Sequence, residues 1–291
     1  MRFNGFRYLG IVAAAFALAL GASRAAADCA QTRVPVHIRG DRAMVDVAID
    51  GHDAHMVLDT GASQSLLMSD APARLGLVMD EGHPAEQRMS YGKPFDVRFA
   101  RIRRIGFAGT TTEVDDLAVA AGGEAGVDGF FTDGRLLRAD FDFAHGRVDL
   151  FCDDAPPPAW TRRPGVSVVA LDKAPRLFGV AFVNDHSVRV LFDTGSPASS
   201  MTLAAATRTG VAITGSPDTS AAGVGMTVPL RAWTATIALM RIGDEQTTDV
   251  PLAVIDKPNA SADMIAGFDF FRRHRVWIDL RHNRLVFQAA G

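Results

Sequence analysis

Three things are scarce in this sequence: cysteine, an excess of positive charge, and long apolar runs. Only two of the 291 residues are cysteine, which excludes a framework of several disulfides. Lysine and arginine number 30 against 33 aspartates and glutamates, and this balance argues against nucleic acid as a partner. The remaining composition, 48% apolar and 22% charged, is that of a globular chain long enough for one large domain or two small ones.

The apolar run near the N-terminus, Leu9 to Leu20, covers about a dozen residues, whereas a membrane-spanning helix needs roughly 20. Two arginines precede the run and a stretch of alanines ends at Ala27, which is the pattern of a secretory signal peptide. We therefore predict a signal peptide over residues 1–27, cleaved after Ala27, with a membrane anchor as the alternative. Its removal takes away three arginines and no acidic residue, so the formal net charge moves from −3 to −6.

The mature chain is accordingly predicted to be periplasmic or secreted, with no stable membrane anchor. In such an oxidising compartment Cys29 and Cys152 can form a disulfide, which would join the start of the first half of the chain to its end. Two unpaired thiols are the alternative. A lipidated Cys29 is not favoured, because Asp28 stands where a small residue is usual.

The most informative feature is a repeated tripeptide. Asp-Thr-Gly occurs at residues 59–61 and again at 193–195, each time after an apolar run typical of a buried strand. A gapless alignment on the two aspartates also matches the flanking segments, which are 49–52 with 183–186, 56–58 with 190–192, and 74–77 with 208–211. A register kept over about thirty residues indicates an internal duplication.

The duplication predicts two lobes, at residues 34–152 and 166–288, joined by a proline-rich linker at 153–165. The pattern within each lobe is mostly short strands, so the chain is predicted to be mainly β, with no parallel α/β sheet.

Two kinds of local element recur in both lobes. Hairpins are predicted at Asp50-Gly51 and, in the second copy, at Asn184-Asp185. Short helices are expected over Ser65 to Leu75 and Ser200 to Thr209, each followed by a glycine that can cap it.

The repeated aspartates, Asp59 and Asp193, are the candidate catalytic pair. Two carboxyls within hydrogen-bonding distance share one proton, because ionising both is unfavourable. The ionised carboxyl can take a proton from a water that attacks a carbonyl, while the protonated one donates to the carbonyl oxygen. The threonine hydroxyls can bond to the opposite loop, and the glycines permit close backbone approach. These loop-support residues are Thr60, Gly61, Thr194 and Gly195.

The two loops resemble those of the aspartic proteases, which carry Asp-Thr-Gly-Ser/Ala, often followed by Ser or Thr, after a hydrophobic pair. Residues 57–63 fit this pattern fully, and residues 191–197 fit up to Pro197, where a hydroxyl is often seen. The apolar segments at Gly129 and Gly267 are similar to the family's second signature, which packs behind the active-site loop. The resemblance implies two retropepsin-like, acid-protease β-barrel lobes in a pepsin-like bilobal chain, with an active-site cleft between them.

Enzymes of this family close a β-hairpin flap over the substrate. Tyr91 and Gly92 resemble the tip of a pepsin flap, and a packed surface tyrosine is the alternative. In the second lobe Gly223 and Gly225 are candidates for the tip of an equivalent hairpin, or belong to a loose turn.

Other chemistries have weaker support. His52, Asp53 and His55 could ligate a metal, but a hairpin turn is sufficient reason for a polar cluster there. Ser63 and Ser196 lack the strand-turn-helix elbow with flanking glycines that serine hydrolases use. The expected enzyme needs no metal and no cofactor.

The leading hypothesis is an aspartic endopeptidase that acts on peptides or proteins, and we expect a monomer because one chain carries both aspartates. A non-catalytic peptide-binding or scaffolding protein with the same fold is the runner-up, motivated by Pro197. Pairing of lobes between two chains is a third hypothesis. The few residues between Ala27 and the first strand predict no prosegment, and the diverged middle of each lobe leaves cleavage specificity open.

Overall fold

The computed structural model describes residues 31–90, 93–152, 154–173, 176–221, 223–226 and 228–291. Their secondary structure is mostly β-strand, so the predicted mainly β class is confirmed. The strands of the first half are β1 (Thr32–Pro35), β2 (His37–Arg39), β3 (Arg42–Ile49), β4 (His52–Leu58), β5 (Leu66–Met68), β6 (Val78–Met79), β7 (Glu86–Ser90), β8 (Lys93–Arg101), β9 (Arg104–Phe107), β10 (Thr110–Glu113), β11 (Asp116–Ala120), β12 (Gly129–Phe131), β13 (Arg138–Asp142) and β14 (Arg147–Leu150).

The second half has fewer and longer strands. They are β15 (Ser167–Ala170), β16 (Phe178–Val183), β17 (His186–Phe192), β18 (Ser200–Thr202), β19 (Ala212–Ala221), β20 (Leu230–Ile242), β21 (Glu245–Ile255), β22 (Met264–Ala266), β23 (His274–Asp279) and β24 (Arg284–Ala289). The α-helices are α1 (Ala71–Arg74), α2 (Leu203–Arg208) and α3 (Phe268–Arg273). Short 3₁₀ turns lie at Gly134–Leu137, Phe143–His145, Ala159–Arg162 and Leu280–His282.

Each half begins with the predicted hairpin. Strands β3 and β4 pair antiparallel around Asp50 and Gly51, whose φ angles of 50° and 92° suit the two-residue turn that matches strand twist. Strands β16 and β17 pair in the same way around Asn184 and Asp185, with φ angles of 47° and 65°. Both hairpin predictions are confirmed.

The segment after each Asp-Thr-Gly loop differs from the expected helix. Residues 66–68 and 200–202 are strands, β5 and β18, and the helices α1 and α2 begin only after these strands. The helices predicted over Ser65 to Leu75 and Ser200 to Thr209 are therefore too long at their N-terminal ends. A three-residue segment is too short for its sequence pattern to distinguish a helix from a strand, and here Leu67 and Met201 are fully buried inside a sheet.

Parallel pairing occurs in both halves, although no α/β sheet forms. In the first half β12 runs parallel to β4, and β11 runs parallel to β5. In the second half β22 runs parallel to β17, and β21 to β18. The two halves thus repeat one pattern, in which the strand ahead of each Asp-Thr-Gly loop lies beside a strand that returns from much later in the chain.

A six-stranded sheet connects the halves, in the order β1-β14-β13-β23-β24-β15, and we call it the interlobe sheet. Its central pair is β13 with β23, where Phe141 lies opposite Val276. Both of these side chains are fully buried, as is Trp277 beside them. Removing this much apolar surface from water stabilises the junction, by roughly 1.5–3 kcal/mol for each large side chain.

The proline-rich linker is partly anchored to that sheet. The linker segment Ala159–Arg162 forms a 3₁₀ turn, and Trp160 is buried against Trp277 and Val286. The Trp160 indole donates to a carboxylate oxygen of Asp140 over 2.9 Å. The linker therefore packs on the protein instead of forming the purely polar connector that its composition indicates.

The predicted signal peptide over residues 1–27 and Cys29 lie outside the described residues. The pairing of Cys29 with Cys152 therefore stays a prediction. Within the described part of the chain, no helix has the length and apolar character that a membrane crossing requires.

Candidate active site

The two Asp-Thr-Gly loops leave the ends of β4 and β17 and meet between the halves. The backbone N–H of Asp59 donates to the carbonyl of Phe131 in β12 over 2.8 Å, and that of Asp193 donates to Ala266 in β22 over 2.9 Å. Each loop is thus fixed by the parallel strand behind it. Gly129 starts β12 because a side chain there would overlap the carbonyl of Leu66.

The threonines form a crossed network between the loops. The Thr60 hydroxyl donates to the carbonyl of Phe192 over 3.0 Å, and the Thr194 hydroxyl donates to that of Leu58 over 2.6 Å. Each hydroxyl oxygen also accepts the backbone N–H of the opposite threonine over 3.1 Å. Both side chains are buried, so these hydrogen bonds fix the two loops relative to each other.

The glycines bring each loop against the opposite aspartate. A methyl group on Gly61 would lie within 3.0 Å of the Asp193 carboxyl, closer than real Cβ atoms approach. A methyl group on Gly195 would overlap the Asp59 carboxyl in the same way. Glycine is therefore required here by space, and not by an unusual backbone angle.

Backbone donors orient both carboxyls. Asp59 Oδ1 accepts the N–H groups of Gly61 and Ala62, each over 2.8 Å. Asp193 Oδ1 accepts those of Gly195 and Ser196, over 2.9 and 3.2 Å. The two carboxyls thus have matching support from their own loops.

The electrostatics of Asp59 differ from those of an exposed aspartate. Loss of water contact raises the pKa of Asp59 well above its usual range, and the charge of Asp193 and a hydrogen bond with it raise the pKa further. The N–H groups of Ala62 and Gly61 act in the opposite direction but do not cancel the shift. Asp59 therefore keeps its proton where an ordinary aspartate is ionised.

Two arginines brace the loops, and the sequence reasoning missed them. Arg42, at the start of β3, donates from Nη1 to the carbonyl of Gly195 over 2.8 Å. Arg176, just before β16, donates from Nε to the carbonyl of Gly61 over 3.0 Å. Each arginine thus reaches from one half to the loop of the other. The gapless register that aligns Asp59 with Asp193 also aligns these arginines, so the signal was present in the sequence.

Pro197 lacks the side-chain hydroxyl often seen at its position in the family, but a serine two residues later supports the loop. Ser199 donates from its hydroxyl to Asp269 over 2.7 Å and accepts the N–H of Gly267 over 3.1 Å. In the first half Ser65 has the corresponding place, with its hydroxyl bonded to both the carbonyl and the N–H of Thr132 at 3.0 Å. Both loops are therefore held from behind by a serine.

A cleft of about 500 Å³ lies over the two aspartates. The β7–β8 hairpin contributes Arg88, Met89 and Ser90 to its wall, and Ser90 pairs with Lys93 next to the tip. The predicted flap residues, Tyr91 and Gly92, are outside the described residues.

The β19–β20 hairpin of the second half reaches the same cleft. Gly223 and Val224 contribute to its wall, and the N–H of Met226 donates to the Gly223 carbonyl in a tight turn. Gly225 has a φ of +71° and lies against the Phe95 ring of β8, where a side chain would not fit. Of the two glycines proposed for a second hairpin tip, Gly223 therefore lies at the cleft and Gly225 lies against the first-half hairpin.

The other candidate residues lie elsewhere or make local contacts. His52 and Asp53 are exposed at the start of β4, and His55 contacts Asp46 over 2.8 Å. Ser63 and Ser196 line the cleft as part of the two loops. Across the described ranges, no group of three His, Cys, Asp or Glu side chains is arranged to hold a metal ion.

The fold and the paired loops define a bilobal, acid-protease-like β protein. Residues 45–131 match a family model described as aspartyl protease, and residues 180–273 match one described as gag-polyprotein putative aspartyl protease. The two matches together cover more than half of the chain, one in each half. The chain belongs to the aspartic protease family and is a hydrolase of the peptidase class.

A solved structure supports the fold independently. The aspartic proteinase from Irpex lacteus superposes with a TM-score of 0.54 at 12% sequence identity, over 89% of this chain and 97% of that one. At this identity the similarity shows the fold alone. No curated protein matches the chain in sequence.

Proposed function

We propose that the protein is an aspartic endopeptidase in which Asp59 and Asp193 activate one water for attack on a peptide carbonyl. The observation that carries this proposal is the crossed approach of the loops, in which each glycine lies against the opposite aspartate. That approach brings the two carboxyls into hydrogen-bonding contact, as a shared-proton pair requires.

The two carboxyls receive different roles in this proposal. The protonated carboxyl of the pair donates its proton to the carbonyl oxygen, and the ionised carboxyl takes a proton from the water. Collapse of the tetrahedral intermediate then requires protonation of the leaving amine. Because the carboxyls titrate as a pair, a pH profile would report properties of the pair and not of one residue.

The cleft supports a peptide or protein substrate. Hairpins from both halves border it, and the described lining includes apolar side chains of Phe95, Val224 and Met264 beside the polar loops. We propose that the β7–β8 hairpin, for which the sequence predicts Tyr91-Gly92 at the tip, closes over the bound peptide as a flap. Such closure would exclude water from the reacting groups.

The test is hydrolysis of a peptide library by the purified protein over a series of pH values. Asp59→Asn and Asp193→Asn should each abolish cleavage while the variants stay folded. Asp244→Asn is the matched control, because Asp244 lies in the turn between β20 and β21, away from the cleft wall. Cleavage that survives either dyad substitution would contradict the proposal.

The same assay addresses the alternative of a non-catalytic peptide-binding protein. Peptide binding without cleavage at any pH would favour that alternative. Pro197 is the residue that motivates it, and the Ser199 contacts with Asp269 and Gly267 weaken that motivation.

We also propose that one chain is the complete catalytic unit, since one chain carries both Asp-Thr-Gly loops. Mass measurement in solution checks this, and an active species of twice the chain mass would contradict it. Export to the periplasm or outside the cell, followed by cleavage after Ala27, remains a prediction that N-terminal sequencing of the mature protein can check.

A further inference from the structure

A lysine is buried in the wall of the cleft on the side of the second half. Lys257 follows β21, is 8% exposed, and lines the cleft together with Ser200 of β18. Its ammonium donates to the Ser200 hydroxyl over 3.1 Å, and Ser200 is itself buried. The chain contains only three lysines, so a buried one beside the candidate dyad is conspicuous.

Burial of the Lys257 ammonium is electrostatically unfavourable. Loss of water contact lowers the pKa of Lys257 to about 8, although the charge of Asp193 acts in the opposite direction. The ammonium is therefore charged at neutral and acidic pH. A buried charge is stable only when oppositely charged or hydrogen-bonding groups surround it. A bound peptide displaces water from the cleft, so the Lys257 ammonium then needs such groups even more.

The other charged residues of the cleft wall leave its field positive beyond the dyad. Besides Lys257, the wall contains Arg176 and also Arg88, which forms an ion pair with Glu86 over 2.8 Å. Its one further acidic residue among those described, Asp263, forms an ion pair with Arg208 over 2.9 Å. An acidic group on a peptide would thus meet Lys257 and Arg176 as cations of the described wall, with the dyad as its remaining acidic group.

We propose that Lys257 binds a carboxylate of the substrate, so that the enzyme prefers an aspartate or glutamate side chain next to the cleaved bond on the side of the second half. This inference rests on the proposed function, since it assumes that a peptide occupies the cleft. An ammonium has three N–H donors, so a substrate carboxylate can be bound while the contact with Ser200 is kept.

A purely structural role for Lys257 makes a different prediction. If Lys257 only supported Ser200 or the charge of Asp193, its replacement would affect all substrates alike. If it binds a substrate carboxylate, the loss would fall on acidic substrates. The ratio of kcat/KM between an acidic and a neutral peptide separates the two roles.

The experiment uses matched peptides that differ only by Glu or Gln at one position flanking the cleaved bond, with each flanking position tested in turn. At about pH 6 glutamate is ionised and lysine is protonated. The wild type should cleave the Glu peptide about tenfold or more better than the Gln peptide at one of these positions. Lys257→Met should reduce that ratio to near one, and Lys257→Arg should retain part of it.

Lys173→Met is the matched control, because Lys173 is exposed and should leave the ratio unchanged. Thermal unfolding checks that each variant is folded, and Lys257→Gln replaces Lys257→Met if the latter does not fold. A wild type with no preference for Glu at either position, or a Lys257→Met variant that keeps the preference, would overturn the inference.

A binding measurement separates this inference from the proposed function. The same peptides are titrated by fluorescence anisotropy into Asp59→Asn protein, with and without Lys257→Met. If the wild type cleaves no peptide, the proposed function fails, while tighter binding of the Glu peptide that disappears with Lys257→Met still supports the role of Lys257. Equal binding of both peptides would overturn it.

Discussion

Replacement of Thr194 by valine removes the hydroxyl at the centre of the crossed network. The substitution keeps the shape of the side chain, so it creates no cavity and affects hydrogen bonding alone. It leaves the Leu58 carbonyl and the Thr60 N–H without the partners they have at 2.6 and 3.1 Å. Both groups lie in buried residues, where each unsatisfied group costs about 1–3 kcal/mol. We therefore expect a loss of about 2–6 kcal/mol in the free energy of unfolding.

The assay is urea-induced unfolding of the purified protein, with the slope of the transition compared between variants. Thr207→Val is the matched control, since the Thr207 hydroxyl bonds to the Leu203 carbonyl on an exposed helix face. Its replacement should change the free energy of unfolding by no more than about 0.5 kcal/mol. If Thr194→Val is no more destabilising than Thr207→Val, the crossed bonds do not stabilise the junction and the reasoning is refuted.

The double variant sharpens this prediction. Thr60 and Thr194 each accept the N–H of the other, so they belong to one network. Once Thr194→Val has disrupted it, Thr60→Val should cost less than it does alone. The two single effects should therefore exceed the effect of the double variant by about 1 kcal/mol or more, and additive effects would show that the two hydroxyls act independently.

Two further predictions concern the dyad. Gly61→Ala should lower kcat/KM at least about a hundredfold, because its methyl group overlaps the Asp193 carboxyl. Gly134→Ala is the control and should keep activity, because no atom lies near its added methyl group. An active Gly61→Ala enzyme would contradict the crossed geometry. For Asp59, a raised folded-state pKa means that its favourable contribution to stability is present below the ordinary aspartate pKa of 3.8 and is lost as the pH rises through the folded-state value. Asp59→Asn lacks this loss, so its melting temperature relative to the wild type should increase from acidic to neutral pH, and a constant difference would refute the assignment.

The predictable parts of the fold were those specified by neighbouring residues. Asp50-Gly51 and Asn184-Asp185 specify two-residue hairpins because their backbones adopt positive φ angles readily. The strand character of residues 66–68 was not predictable in the same way. It depends on pairing with β11 and β12, which are formed by residues more than forty positions later.

The candidate site shows the same distinction. The repeated Asp-Thr-Gly tripeptide identified the residues that the structure brings together between the halves. Arg42 and Arg176 have the same spacing as the aspartates, but a pair of arginines in a chain with many is noticed only once the contacts with Gly195 and Gly61 are known. Lys257 belongs to none of the sequence motifs, and only the folded structure shows that it is buried in the cleft wall.

The interlobe sheet has a consequence for how the molecule can open and for what each half can do alone. Three of its strands come from the first half and three from the second, and they join only through β13 and β23. Separation of the halves at this pair would break a row of backbone hydrogen bonds, so we expect access to the cleft to depend on movement of the hairpins that border it. A half expressed alone would present β13 or β23 as an unpaired edge, and an edge of that kind recruits a second strand. We expect such fragments to pair with each other or with copies of themselves, because the surface that joins two lobes in one chain is also a surface for assembly between chains.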